Sequence, residues 1–199
     1  MIKNIVFDMG KVLLAFEPQK YSHEVIPNAD AAEAVLHELF LGPEWTMLDA
    51  GTITDEEAVK RVQSRIPQYA ESVSRAMEHW DDMLTPLPGM SEILAALKEK
   101  GYRLYVLSNM SMRFPVIFEN REIFQYFDGY VFSSAEKIVK PDPAIYRCLL
   151  NRFCLKAEEC LFIDDLPRNI EGAVGVEMSG HPFTGAEELL GYFKSENIL

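Results

Sequence analysis

The chain is poor in cysteine, with only Cys148, Cys154 and Cys160 in 199 residues. An odd number with no CxxC pair gives neither a disulfide framework nor a zinc site, and it suits a reducing compartment in which all three are buried thiols. Basic residues are also scarce. Nineteen Lys and Arg face 31 Asp and Glu, for a formal net charge of −12. That excludes non-specific nucleic-acid binding and disfavours docking to an anionic membrane. A negatively charged substrate would have to find local positive charge in a metal or a lysine. No run approaches the roughly 20 apolar residues of a membrane span. The first residues carry no basic leader, long apolar segment or small-residue cleavage site, so the expected location is the cytoplasm. The four histidines, His23, His37, His79 and His181, are scattered without metal-ligand spacing.

What remains is an ordinary globular composition, 48% hydrophobic and 25% charged, long enough for one good core with a small accessory unit. The first fourteen residues, MIKNIVFDMGKVLL, organise the rest. An apolar run ends in Asp8, then Gly10 and Lys11 precede a second apolar run. Short β-branched and aromatic runs bounded by glycine read as buried strands, expected here at residues 2–8 with a short second strand at 12–16. A carboxylate at a strand tip costs desolvation unless it is paired or metal-bound. Ligands of open α/β sheets bind at the carboxyl ends of the strands, so Asp8 is a functional candidate.

From 18 to 80 the pattern is helical. Helices are expected at 29–40, at 55–65 behind a Thr54 cap with Glu57 completing a capping box, and at 70–82. Gly42-Pro43 and Pro67 read as stops, which leaves Trp45 and Asp49 in a loop. Trp45 reads as an interior residue of the helical block. Glu33, Glu38 and Glu44 read as a solvated face. Beyond Pro86 and Pro88-Gly89 helix and strand alternate, as in a parallel sheet with crossover helices. Helices are expected at 90–100, 143–153, 167–174 and 186–193, and strands at 103–107, 130–132 and 160–163, with 113–125 mostly helical or irregular.

The strand ends carry Asp8, Ser108, Asp164 and Asp165, with Lys140 just ahead of a helix. Carboxylates with backbone oxygens suit Mg²⁺. A carboxylate beside a metal and a lysine stays ionised and can attack phosphorus, and a serine hydroxyl with backbone N–H groups can hold phosphate oxygens.

Four segments, IVFDMGKVL, LYVLSN, KPDPAIY and LFIDDLPRNIEGA, stand in an order that resembles the haloacid dehalogenase superfamily of phosphohydrolases. The resemblance spans nearly the whole sheet-forming part, and the helical block resembles the cap that subgroups insert after the first motif. It implies a Rossmann-like three-layer α/β parallel-sheet core (1–16 and 87–199) with an inserted all-α cap (17–86). It implies a Mg²⁺-dependent phosphatase of a small phosphorylated metabolite, in the first place a sugar phosphate. Asp8 would be the nucleophile and a metal ligand, with the Gly10 carbonyl and Asp165 as further ligands and Asp164 as a second carboxylate ligand or one acting through water. Ser108 and the backbone at Asn109 would bind the phosphoryl group, Lys140 would neutralise charge, and Asn169 would support the metal site.

One position departs from the pattern. The commonest phosphatase motif is Asp-x-Asp, whose second Asp protonates the leaving group. Here it is Gly10, as in a subgroup of capped sugar-phosphate phosphatases that reads Asp-x-Gly, so water or a cap residue would have to substitute. Lys11 reads as an exposed loop lysine. The alternatives are a metal-free 2-haloacid dehalogenase using Asp8, against which the paired Asp164 and Asp165 argue, and a non-catalytic binding domain. The sequence identifies no oligomer interface.

Overall fold

The structure, a computed structural model, describes all residues 1–199. Five parallel strands form one sheet in the order β3-β2-β1-β4-β5. They are β1 (Asn4–Phe7), β2 (Arg103–Ser108), β3 (Gly129–Phe132), β4 (Cys160–Asp164) and β5 (Ser179–Pro182). Alternate side chains serve opposite faces. Ile5, Phe7, Leu104, Val106, Leu161 and Ile163 pack into one apolar cluster with α6 (Met90–Glu99) and α11 (Ala186–Ser195). Val6, Tyr105, Leu107, Val131 and Phe162 pack into another with α9 (Pro143–Arg152) and α10 (Pro167–Val174). The result is the expected three-layer α/β core. Register aligns the strand ends: Phe7 stands opposite Val106 and Ile163, so Asp8, Ser108 and Asp164 emerge at one edge.

Between β1 and α6 lie five helices: α1 (Pro18–Val25), α2 (Ala29–Val35), α3 (Pro43–Asp49), α4 (Asp55–Arg65) and α5 (Ala70–Glu78). A π-helical turn, Leu36–Phe40, extends α2. The Thr54–Glu57 capping box opens α4 as expected. The insert shares the first apolar cluster of the sheet, through residues such as Leu39, Val62 and Trp80. Polar clamps reinforce that join. Arg113, in the segment after β2, donates to Asp55 (2.7 Å), Asp81 (3.1 Å) and the carbonyls of Met77 and Glu78 (2.9 Å each). Arg121, after α7 (Phe114–Glu119), donates to the carbonyls of Leu84 and Asp81.

Several expectations need correcting. Residues 12–16 form no strand. Lys11 takes a left-handed conformation (φ 59°), and the amides of Leu13 and Leu14 both turn back to the Met9 carbonyl. The apolar run is buried as a compact turn, tied through Ala15 and Leu13 to residues 85–87, so the two chain crossings into the insert lie side by side. Trp45 and Asp49 lie on α3, because Pro43 occupies the first turn of a new helix instead of only ending the old one. The helix expected at 70–82 stops at Glu78 and resumes as a 3₁₀ turn, Trp80–Met83. Only Cys160 is buried; Cys148 is half-buried and Cys154 is exposed, in the left-handed turn (φ 52°) that follows α9. Glu44 is not solvated: it is buried, and both its oxygens accept from Arg65 at 2.7 Å. No helix is long and apolar enough to cross a membrane.

Candidate active site

The centre of the site is an ammonium between two carboxylates. Lys140 Nζ lies 2.9 Å from Asp8 Oδ1 and 2.7 Å from Asp164 Oδ2, and all three side chains are buried. Burial works against the Lys140 charge, but Asp8 and Asp164 outweigh it and hold the ammonium above its ordinary range. The Phe162 ring adds a face 5.3 Å from the ammonium. Asn109 fixes the lysine by its backbone: its Oδ1 accepts from the Lys140 N–H (2.7 Å) and its Nδ2 donates to the Lys140 carbonyl (3.1 Å). That occupies the Asn109 side chain and leaves its backbone for a ligand.

Asp164 ends β4 and is locked. Besides Lys140 it accepts from the Leu166 N–H (2.9 Å) and from Asn169 Nδ2 at both oxygens (2.9 and 3.0 Å). Tyr146 of α9 donates to the Asn169 carbonyl at 2.8 Å. Gly172 permits this approach, since a Cβ there would meet the Pro141 carbonyl and the Tyr146 hydroxyl at 2.8 Å. Asp165 is half-buried and accepts no hydrogen bond from another residue's side chain. Burial raises its pKa, Asp164 adds to this, and Lys11, exposed nearby, opposes it.

Oxygens of Asp8, Asp164 and Asp165 lie within 4.8 Å of one another. Three carboxylates share the single buried cation. The consequence falls on Asp8, whose pKa is pushed up to about 6 by burial; Lys140 pulls it down, Asp164 pushes it up, and the Ser108 hydroxyl pulls it down. The donor set fits a hard divalent ion. The Gly10 carbonyl accepts no backbone hydrogen bond, so it is free to ligate. The Oδ1 of buried Asn169 has no partner, the state expected of an acceptor awaiting a metal-bound water.

Above Asp8 lies a cavity of about 120 Å³, whose wall includes Gly10, Ser108 and Asn109 of the core and Trp45, Asp49 and Trp80 of the insert. Trp45 packs against Phe16, Phe40 and Trp80, with ring centroids 4.9–5.8 Å apart, so it is both an interior residue and a lining one. None of the four histidines joins the acidic group. Their neighbours are glutamates of the surface: Glu33 for His23 and His37, Glu78 for His79, Glu188 for His181.

A five-stranded parallel sheet with a lysine-bridged carboxylate group at its carboxyl edge defines an α/β protein with a charged site at its strand ends. More narrowly, the chain belongs to the haloacid dehalogenase-like hydrolases, whose family model matches residues 2–176. Among curated proteins it is 26% identical to the sesquiterpene phosphatase astK of Aspergillus oryzae, over 89% of this chain and 88% of that one. It is also 26% identical to a phosphorylated carbohydrates phosphatase of Thermotoga maritima, over 87% and 82%. Several other curated relatives are longer, and the chain spans less than half of them. Among solved structures, a haloacid dehalogenase family enzyme of Bacteroides thetaiotaomicron in complex with magnesium and inorganic phosphate superposes with a TM-score of 0.73. It is 23% identical, with 97% of this chain and all of that one covered. L-2-haloacid dehalogenase of Xanthobacter autotrophicus, with chloropropionic acid covalently bound, has a TM-score of 0.68 and 20% identity, covering all of this chain and 85% of that one.

Proposed function

We propose that the chain is a Mg²⁺-dependent phosphatase of small phosphorylated metabolites, in the first place a sugar phosphate, working through an aspartyl phosphate on Asp8. The observation that supports this most is the excess of charge: three carboxylates within 4.8 Å around one buried ammonium. A metal-free site displacing halide gains nothing from such a cluster, whereas phosphoryl transfer depends on positioning and charge neutralisation. Asp8, Asp165 and the Gly10 carbonyl would hold the ion, with Asp164 as a further ligand or a partner through water. When bound, the ion neutralises the charge of the phosphoryl oxygens and of Asp8.

The chain's own residues do the rest. Lys140 keeps Asp8 ionised for attack on phosphorus and neutralises the phosphoryl charge. The Ser108 hydroxyl and the Asn109 backbone take phosphoryl oxygens, while the Asn109 side chain holds Lys140 in place. Residues 17–86 act as a cap over the core of 1–16 and 87–199, excluding water from the cavity. A cavity of about 120 Å³ favours a small leaving group, and a related enzyme is named for phosphorylated carbohydrates. Three free cysteines agree with a cytoplasmic location.

The test is turnover of an aryl phosphate with and without Mg²⁺, on wild type and Asp8→Asn. Mg²⁺-dependent hydrolysis abolished by Asp8→Asn is the expected result. Activity indifferent to both overturns the reading, and halide release from a 2-chloro acid would replace it with dehalogenation.

A further inference from the structure

Phosphate monoesters of ordinary alcohols need a proton delivered to the departing oxygen, because an alkoxide is a poor leaving group. In Asp8's own loop the position two residues on is Gly10, which has none to give. Lys140 is fully engaged by Asp8 and Asp164, and Asp164 by Lys140, Leu166 and Asn169. The cavity over Asp8 is lined by only one other ionisable side chain, Asp49, at the last residue of α3. Its carboxyl has no hydrogen-bond partner in the protein, whereas its backbone is anchored.

That anchoring is specific. Ser133, the first residue of α8 (Ser133–Glu136) after β3, donates its hydroxyl to the Asp49 carbonyl. The same Oγ accepts the Met110 N–H at 2.9 Å, in the segment that follows Ser108. Two residues past Asp49, Gly51 adopts φ +64°, and a Cβ there would lie 2.2 Å from the Ser134 carbonyl oxygen. The end of α3 is thus seated on the loop that follows the neighbouring strand, and the seat needs a glycine.

We propose that Asp49, supplied by the helical insert, is the general acid and base of the reaction, in place of the carboxylate that Gly10 lacks. The proposal rests on the phosphatase reading above. In the first half-reaction an Asp8 oxygen attacks phosphorus and the bond from phosphorus to the bridging oxygen breaks. Its electron pair leaves on the alcohol oxygen, which takes the proton of the Asp49 carboxyl. The products are the alcohol, an acyl phosphate on Asp8 and the Asp49 carboxylate. In the second half a water oxygen attacks the same phosphorus and gives its proton to Asp49. The bond from phosphorus to Asp8 breaks, restoring the Asp8 carboxylate and the Asp49 acid and releasing inorganic phosphate. The surroundings suit both forms: burial, and then the charge of Asp8, push the Asp49 pKa up to about 7, with Lys140 opposing. A group poised near the working pH can both give and take the proton.

The experiment reads kcat/KM with Mg²⁺ across phosphate monoesters whose leaving groups run from dinitrophenol to simple alcohols. Wild type, Asp8→Asn, Asp49→Asn and Asp49→Asn/Gly10→Asp are compared, with folding checked by circular dichroism. Asp49→Asn is expected to lower kcat/KM about 10²–10⁴-fold for alkyl phosphates. The activated aryl ester, which needs no proton, should lose less than about tenfold, and the steady state after one turnover should slow because hydrolysis of the acyl phosphate also loses its base. A burst of one nitrophenolate per enzyme then appears. Gly10→Asp should restore part of the alkyl activity, since a Cβ at Gly10 meets only Phe16 Cβ at 4.0 Å. An equal loss on every ester, or no loss on any, overturns the role of Asp49 while leaving Asp8 in its own. Turnover that survives Asp8→Asn overturns the phosphatase reading and this inference with it.

Discussion

Asp49→Asn should make the metal-free protein more stable at pH 8 and leave it nearly unchanged at pH 4. Asp49 is raised from 3.8 to about 7, by burial first and by Asp8 second, against the pull of Lys140; no other ionisable side chain lines the cavity. Its folded pKa lies above its unfolded one. Its contribution to stability is therefore fully present below about pH 4, falls as pH rises, and is gone above about 7. Three pKa units correspond to roughly 4 kcal/mol. Asp8 shares the charge, so about 2–4 kcal/mol is the range to expect at pH 8. In a domain of this size each kcal/mol moves the melting temperature by about 2–4 °C. Asn cannot ionise and is close to the shape of the protonated acid, so it lacks this slope. The assay is urea unfolding of both proteins with chelator at pH 4, 5, 6, 7 and 8. Parallel stability curves, or a variant that is less stable at pH 8, would refute the electrostatic picture of the cavity.

Glu44→Gln should destabilise by about 1–3 kcal/mol in chemical denaturation, because it leaves Arg65 without a carboxylate that is buried and bidentate, though Arg65 itself is partly exposed. Gly51→Ala should shift the leaving-group dependence in the same sense as Asp49→Asn, since relief of the clash with Ser134 moves the end of α3; retention of the wild-type dependence would show that Asp49 does not need this seat. Arg113→Ala should loosen the insert by about 1.5–3 kcal/mol, roughly ten- to a hundredfold in its opening equilibrium, seen as faster proteolysis within residues 50–85.

The strands that build the site were legible because each combines a β-branched or aromatic run with a polar residue at its tip; Asp8, Ser108 and Asp164 follow from local pattern alone. The Thr54–Glu57 box is equally local, and α4 begins where it says. What was missed depends on partners distant in sequence. β5 reads Ser-Gly-His-Pro, with no strand character, and is a strand because β4 offers it an unpaired edge from Leu161 to Asp164. Glu44 looks like part of an acidic surface until Arg65, 21 residues on, is placed against it. Residues 12–16 have the composition of a strand, but β2 and β4 already flank β1, and their pairing with 85–87 goes no further than one antiparallel bridge, Leu14 with Pro86. The helix α3 was hidden because Gly-Pro marks both an end and a beginning.

Asp49 shows the same limit at the point where it matters most. A carboxylate at the end of a helix is usually solvated, and no local pattern distinguishes this one. What changes its chemistry is its half-buried place in the cavity it shares with Trp45 and Trp80, near the charge of Asp8 at the end of β1. In the proposed mechanism the proton donor stands on the insert and the nucleophile on the sheet, and the seating of α3 on Ser133 and Ser134 brings the two together. A second carboxylate in Asp8's own loop would not depend on that seat. The proposed arrangement makes that step depend on the seat of α3, so catalysis on alkyl phosphates should respond to substitutions that loosen the insert, such as Arg113→Ala, far more than catalysis on dinitrophenyl phosphate does. Equal sensitivity of the two substrates would mean that the proton comes from a group, or a water, that belongs to the core.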